Sequence, residues 1–317
     1  MPKTKASAII TVSLNPAIDR TIEVPNFTPG AHQNGREISR TAGGKGVNVS
    51  GVLRSLDVPS TVTGFLGAEN RAVFDPFLND PLVTDAFLVL DGRTRQNVTI
   101  ADPASGTETH IRDDGLAIDQ AALANLAEKL RSLAGAESIV IFSGSLPPGV
   151  GPGDLADLVE TCASAGARVA VDTSGDAIRA MAGRKLWLIK PNSMELAQLA
   201  GRELPDPADE LTAARSLTAD VRQVLLSRGG EGACLFTNEL ALHGRVAVAA
   251  DRIRNTVGCG DALLGAMVAG LWQGLDLRDA FRLSIACSAA SACTIRPAEF
   301  QHDVMKEFSR KVTLNEL

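Results

Sequence analysis

Between residues 121 and 237 this chain alternates helix-length amphipathic stretches with short apolar runs in a regular order, and that order constrains its fold more than anything else in it. The spacing predicts helices over 121–133, 154–165, 176–182, 194–200 and 208–218. Between and after them stand strand candidates at 138–142, 168–171, 186–189, 223–227 and 233–237. Strand, helix, strand in sequence calls for parallel strands joined by right-handed crossovers. The fold class is therefore α/β. With 317 residues, 45% of them hydrophobic, the chain can bury a large core, and no linker or repeat divides it, so residues 1–317 are read as one domain.

The earlier part of the chain adds pieces of a different character. Ala8 to Leu14 is a β-branched run that reads as a buried strand, and Asn15-Pro16 breaks it. Residues 20–40 turn polar and loosely alternating, as do the stretches 93–100 and 108–112 around the turn Asp102 to Gly106. These predict half-exposed strands outside the main core. A strand at 60–65 and a helical segment near 71–79 lie between them. Helices at 262–272 and 277–292 and a C-terminal one close the chain.

Composition narrows the function classes. A net charge of −6 without clustered Lys and Arg argues against a nucleic-acid partner. Cys162, Cys234, Cys259, Cys287 and Cys293 show neither CxxC spacing nor histidine partners, which leaves no zinc or disulfide framework and fits a reducing cytoplasm. The run after Met1 to Lys5 lacks a signal-peptide cleavage pattern, and the apolar run 262–272 is too short to span a membrane, so no membrane partner is expected. His32, His110, His243 and His302 stand in no triad context.

In an open α/β sheet ligands bind beyond the carboxyl ends of the strands, so the residues there are the candidates. They are Asn15 with Asp19, Gly43 to Gly46, Ser143 to Gly149, Asp172 to Gly175, Lys190 to Glu195, Ser227 to Gly232 and Thr256 to Asp261. Gly258-Cys259-Gly260-Asp261 opens an apolar helix. Either Asp261 is only a helix-start residue between turn glycines, or it is a base whose neighbouring N–H groups meet a phosphoryl group. Gly43-Gly-Lys-Gly46 resembles part of a Walker loop, but the earlier glycine and the Ser or Thr after the lysine are missing. Lys45 is then either a solvated helix-start lysine or a point charge for a phosphate. Arg93, Arg95 and Asn97 lie two apart and would share one strand face, as a phosphate or hydroxyl clamp or as a solvated edge, with Arg112 extending either version. Asn192-Ser-Met-Glu195 is a capping-box pattern that also suits the water shell of Mg²⁺. Cys259, at a helix start, is either a small filler or a thiol of lowered pKa, though no base stands beside it to make it a nucleophile.

Taken together, Gly43-Gly-Lys-Gly-Val-Asn48, Ser143-Gly-Ser-Leu-Pro147, Lys190-Pro-Asn with Glu195, Ser227-x-Gly with Gly232, and Thr256 to Asp261 resemble, in order, the motifs of the ribokinase-like (PfkB) sugar kinases along essentially the whole chain. The resemblance implies a three-layer α/β/α fold with a mostly parallel sheet and a small β-sheet lid, here from segments 20–40 and 93–112. Within that family Leu14-Asn-Pro-Ala-Ile-Asp19 and Gly92-Arg-Thr-Arg-Gln-Asn97 resemble the branch acting on phosphorylated ketohexoses. Fructose 1-phosphate is the expected substrate, with tagatose 6-phosphate and fructose 6-phosphate as alternatives. The implied roles are Asp261 as base with Gly258, Cys259 and Gly260 as anion hole. Asp19 would hold sugar hydroxyls with Gly44 and Asn48; Lys45, Arg95 and Arg112 would meet the sugar phosphate, and Asn97 and Ser145 would also bind the substrate. Lys190, Asn192, Ser227, Gly229 and Gly232 would line the ATP site, and Glu195 would order Mg²⁺ through water. A homodimer through the lid is implied by resemblance as well. Cys259 departs from the Ala or Ser usual at its position, which keeps the N–H and adds a point of chemical sensitivity. A dehydrogenase is excluded because no GxGxxG follows the first strand, and a pure sugar-phosphate sensor would have no use for Asp261.

Overall fold

The protein, described by a computed structural model over residues 8–317, is built from two sheets. The reading of Met1 to Lys5 lies outside the described residues. In chain order the first strands are β1 (Ala8–Ser13), β2 (Ala17–Glu23), β3 (Arg36–Gly43), β4 (Ser60–Gly67), β5 (Val83–Asp85), β6 (Leu88–Leu90), β7 (Arg95–Asp102) and β8 (Thr107–Arg112). Next come β9 (Ser138–Ser143), β10 (Arg168–Asp172), β11 (Leu186–Ile189), β12 (Val221–Ser227), β13 (Ala233–Phe236), β14 (Ala241–Arg245) and β15 (Thr313–Glu316). The helices are α1 (Lys45–Ser55), α2 (Asp75–Leu78), α3 (Gln120–Leu133), α4 (Pro152–Ser164) and α5 (Asp176–Arg179). They continue with α6 (Ser193–Ala200), α7 (Pro207–Ser216), α8 (Cys259–Trp272), α9 (Leu277–Ser291) and α10 (His302–Lys311).

The large sheet runs β15-β14-β13-β12-β11-β10-β9-β1-β4-β5, with β6 also paired to β4. From β12 through to β5 every pairing is parallel. Successive side chains of a strand point to opposite faces, and here both faces are covered. Ile9, Ile139, Ile141, Leu188 and Leu225 pack with α1, α8, α9 and α10 on one face. Ile10, Val140, Phe142, Val169, Val171 and Leu226 pack with α3, α4, α6 and α7 on the other. That is why the strands read as continuous apolar runs rather than alternating ones.

The sheet is mostly parallel, as the resemblance implies. β12, β13, β14 and β15 pair antiparallel at one edge, and between β12 and β13 the connection 228–232 is a tight turn, too short for a crossover. The helix read over 176–182 is also shorter than its pattern, ending at Arg179. The segment near 71–79 begins as a 3₁₀ stretch, Ala68–Phe74, before α2.

The second sheet, in the order β3-β2-β7-β8, is small and polar. Its β2 and β7 are parallel and the outer pairs antiparallel. All of β8 is exposed. Strand alternation puts Asp19, Asn97, Thr99, His110 and Arg112 on one face and Ile22, Val98, Ile100 and Ile111 on the other. No helix among the described residues is long and apolar enough to cross a membrane.

Candidate active site

A cavity of about 440 Å³ lies between the carboxyl ends of the parallel strands and the polar face of the small sheet. Its floor is set by α8. This helix is buried from Asp261 to Gly270, wedged between α1 and α9, and Gly265 lets α1 come close, since a Cβ there would stand 2.8 Å from Val52 Cγ1. Gly258 opens it with φ +83°, and a Cβ at that position would fall 2.4 Å from the Ala298 amide nitrogen, so only glycine makes this turn. The N–H groups of the first turn have no intrahelical acceptors and carry the positive end of the helix dipole. Asp261, 4% exposed, sits among them with Oδ2 accepting a hydrogen bond from Asn48 Nδ2 at 2.8 Å. Burial raises its pKa and the nearby Asp172 carboxylate raises it further. Lys45, Asn48 and Lys190 pull it back, and it comes to about 7.

Asp172, at the end of β10, is fully buried. One of its oxygens, Oδ1, receives Lys45 Nζ at 3.1 Å and Lys190 Nζ at 3.4 Å. Burial alone would raise its pKa, but the two ammonium groups hold it below the usual carboxylate range. Lys45 is correspondingly raised: burial opposes its charge, and Asp172, Asp261 and Glu195 more than offset that. In sequence Asp172 is a strand end with no pattern that gives it a role. The signal that could have found it is an acidic residue closing an otherwise apolar strand, beside Lys190 after the neighbouring β11 and facing Lys45 at the start of α1.

The opposite wall comes from the small sheet and the loops beside it. Asp19 Oδ1 accepts from Asn97 Nδ2 at 2.8 Å. Its carboxyl is raised by burial, against the pull of Asn97, Arg95 and Arg112. Gly43 makes room for it, since a Cβ there would lie 2.1 Å from Asp19 Oδ2. Arg95 lines the cavity, but its guanidinium is already engaged with the carbonyls of Asn15 at 3.1 Å, Pro16 at 3.3 Å and Asp113 at 3.3 Å. Arg112 stands opposite Asn97 on β8 and is exposed to the cavity. Gly44 caps α1, and Ser145 accepts from Asn15 Nδ2 at 3.4 Å. Arg93 does not join this set. It precedes β7, does not line the cavity and forms an exposed 3.7 Å ion pair with Glu69.

Towards the other end of the cavity stand Lys190, Asn192, Glu195 and Ser227. Asn192 and Glu195 close a full capping box on α6, with Asn192 N–H to Glu195 Oε2 at 2.8 Å and Glu195 N–H to Asn192 Oδ1 at 2.9 Å. A carboxylate anchored through one oxygen and nearly buried, within electrostatic reach of Lys45, fits a hydrated Mg²⁺ on an anionic ligand. Both readings of that motif are thus compatible with one geometry. Gly229 and Gly232 follow Ser227 but do not line the cavity. Gly232 is required by packing, since a Cβ there would sit 2.1 Å from the Gly244 carbonyl. The lowered thiol pKa offered for Cys259 is overturned. Its sulfur faces away from the cavity, towards the Asn255 carbonyl, and burial pushes the thiol up to about 11.

The description "pfkB family carbohydrate kinase" matches residues 10–301. The chain is similar to a 1-phosphofructokinase of Rhodobacter capsulatus, 37% identical over 312 residues and covering 98% of each chain. It is also similar to the phosphofructokinase-2 of Escherichia coli solved in complex with fructose-6-phosphate. That likeness has a TM-score of 0.87 at 27% identity and covers 96% of this chain and 98% of the other. A ribokinase of Arabidopsis thaliana, complexed with ribose and ATP, shares the fold at a TM-score of 0.73 and 18% identity, over 96% of this chain and 99% of that one. With the family match spanning most of its length and landing on a cavity that joins a buried carboxylate, a helix start and paired lysines, the chain belongs to the pfkB family of carbohydrate kinases, enzymes that transfer a phosphoryl group to an alcohol.

Proposed function

We propose that this enzyme transfers the γ-phosphoryl group of ATP to the free primary hydroxyl of fructose 1-phosphate, giving fructose 1,6-bisphosphate and ADP in the cytoplasm. The observation that carries the reading is Asp261: a buried carboxyl at the amide-lined start of α8 on the cavity floor, held by Asn48 and with its pKa raised by burial. A carboxyl tuned there takes a proton from an attacking hydroxyl at neutral pH, and Asn48 holds the receiving group in place. The N–H groups of Gly258, Cys259 and Gly260 meet the charge of the phosphoryl oxygens. Lys45 and Lys190 add positive charge from the side of Asp172. Bound Mg²⁺, held through water by Glu195, would neutralise further phosphate charge. Lys190, Asn192 and Ser227 orient the nucleotide, with Gly229 and Gly232 shaping the loop behind it.

At the other wall Asp19, Gly44, Asn48, Asn97 and Ser145 meet sugar hydroxyls, while Arg95, Arg112 and Lys45 meet the phosphate already on the sugar. The choice of fructose 1-phosphate leans on the similarity to a 1-phosphofructokinase along 98% of the chain. The small sheet is read as a lid of one kinase domain. Its outer face, with Ile22, Val98 and Ile100 half-buried and Ile111 54% exposed, is read as the seat of a second copy.

The test is ADP formation with fructose 1-phosphate, fructose 6-phosphate and tagatose 6-phosphate. We expect the highest kcat/KM on the first, an acid limb near pH 7 where Asp261 ionises, and a loss of about 10³-fold in kcat for Asp261→Asn. An Asp261→Asn enzyme within tenfold of wild type would show that the base lies elsewhere.

A further inference from the structure

Asp172 takes no direct part in the transfer, yet it is the carboxylate on which both cavity lysines converge. Its second oxygen lies 3.4 Å from Ser143 Oγ, and its backbone carbonyl accepts the Gly144 N–H at 2.9 Å, so the group is fixed from several sides. A long lysine stem without such a partner samples many rotamers, and ordering it would fall on ligand binding. A Cβ added at Gly260 would be 3.2 Å from Lys190 Nζ, which places that ammonium at the very start of α8, where phosphoryl charge develops.

We propose that Asp172 is a positioning residue for phosphoryl transfer: it pins the Lys45 and Lys190 ammonium groups at the α8 start before any phosphate arrives, and its negative charge keeps those two cations from drawing the proton off Asp261. This rests on Asp261 being the base. The groups facing Asp261 are Asp172 from β10, Lys45 and Asn48 from α1, and Lys190 after β11, while Glu195 of α6 acts on Lys45. Cys259 on its own helix turns away from the cavity. Two lysines and one aspartate leave a net charge of +1 around Asp261. Asp172→Asn makes that +2, Lys45→Met makes it 0, and the double variant restores +1.

The experiment follows the Asp261 carboxyl carbon by ¹³C NMR across pH in the ligand-free protein, assigned with Asp261→Asn, and in parallel the pH dependence of kcat/KM with fructose 1-phosphate. Asp172→Asn should move the Asp261 titration down by about one pH unit or more, Lys45→Met should move it up by a similar amount, and the double variant should return to within about half a unit of wild type. At a pH above every limb, Asp172→Asn should still lose about 10- to 100-fold in kcat, because the lysines are no longer held. A structural role alone would lower kcat without this charge-ordered pattern. A titration indifferent to Asp172→Asn overturns the proposal, as does a double variant that stays with Lys45→Met or a full kcat above the limbs. If Asp172→Asn does not fold, the step from Lys45→Met to the double variant reads the same charge. The NMR arm needs no substrate, so absent turnover with all three sugars would sink the function proposed above while a flat titration would sink this role of Asp172.

Discussion

The two walls of the cavity are built on opposite principles. On the side of the large sheet, Asp172, Lys190, Glu195 and Asp261 are all less than 9% exposed, held by contacts that span the chain, such as Asn48 to Asp261 and Lys45 to Asp172. They stand on strand ends and helix starts packed on both faces, where a shift of one group disturbs the core. On the side of the small sheet, β8 is wholly exposed, and the pairs Arg20–Glu37 and Arg36–Glu23 lie at the surface, where ion pairs add little stability. The rigid wall therefore suits the chemistry, which needs fixed charges, and the thinner wall suits recognition of the sugar. If that division holds, substitutions on the first wall lower turnover for every sugar alike, and substitutions on the second change how well one sugar is held.

Lys190→Met should break the comparison most visibly. It removes a buried ammonium from the α8 start, and kcat should fall by about 10²- to 10³-fold with the three ketohexose phosphates affected in equal proportion. Steady-state kinetics on all three decides it, and a loss seen only in the sugar KM would mean that the rigid wall also recognises the sugar. Arg112→Ala should have the smaller, complementary effect. Removing one charge-assisted contact should raise the KM for fructose 1-phosphate by about tenfold, with kcat and the KM for ATP within about twofold. Arg112 is a cleaner probe than Arg95, whose guanidinium also ties down three backbone carbonyls. A fall in kcat for Arg112→Ala would place part of the chemistry on the thin wall.

The rigid wall was also the more legible in sequence, for physical reasons. Gly258 to Asp261 and Asn192 to Glu195 are local patterns, a glycine turn and a capping box, whose meaning depends on neighbours within a few residues. The Lys45–Asp172 pairing joins residues 127 positions apart, the first residue of α1 and the last of β10, and no local pattern carries it. Burial decided Cys259, since a helix start lowers a thiol pKa only where the sulfur faces the dipole and water, and this one faces the protein interior. Arg93 was misplaced because β7 starts at Arg95: the Asn70 side chain takes both backbone groups of Thr94, and the Thr94 hydroxyl accepts the Gly67 N–H. β14 is not among the strands that the spacing predicts, and Gly244 interrupts its pattern. In the fold it is the spot where Phe281, Ile285 and Leu314 crowd the strand, and a Cβ there would come within 2.8 Å of the Phe281 ring.

The smallest effect on the folded chain is expected from Ile111→Ser, and it sharpens what the thin wall is for. Ile111 lies on the face of the small sheet turned away from Asp19 and Asn97, and 54% of it is exposed. Within one chain its loss should alter unfolding free energy by no more than about 0.5 kcal/mol, since little apolar surface returns to water. If the outer face with Ile22, Val98 and Ile100 seats a second copy, the same change uncovers surface at that contact instead. Sedimentation at a series of concentrations should then show dissociation at higher protein concentration than for wild type, while the thermal midpoint at low concentration stays where it was. Unchanged association would remove the pairing role from this face. A large drop in the midpoint of the dilute protein would mean that Ile111 is packed within its own chain, and the contrast between a rigid wall and a thin one would be weaker than the burial pattern implies.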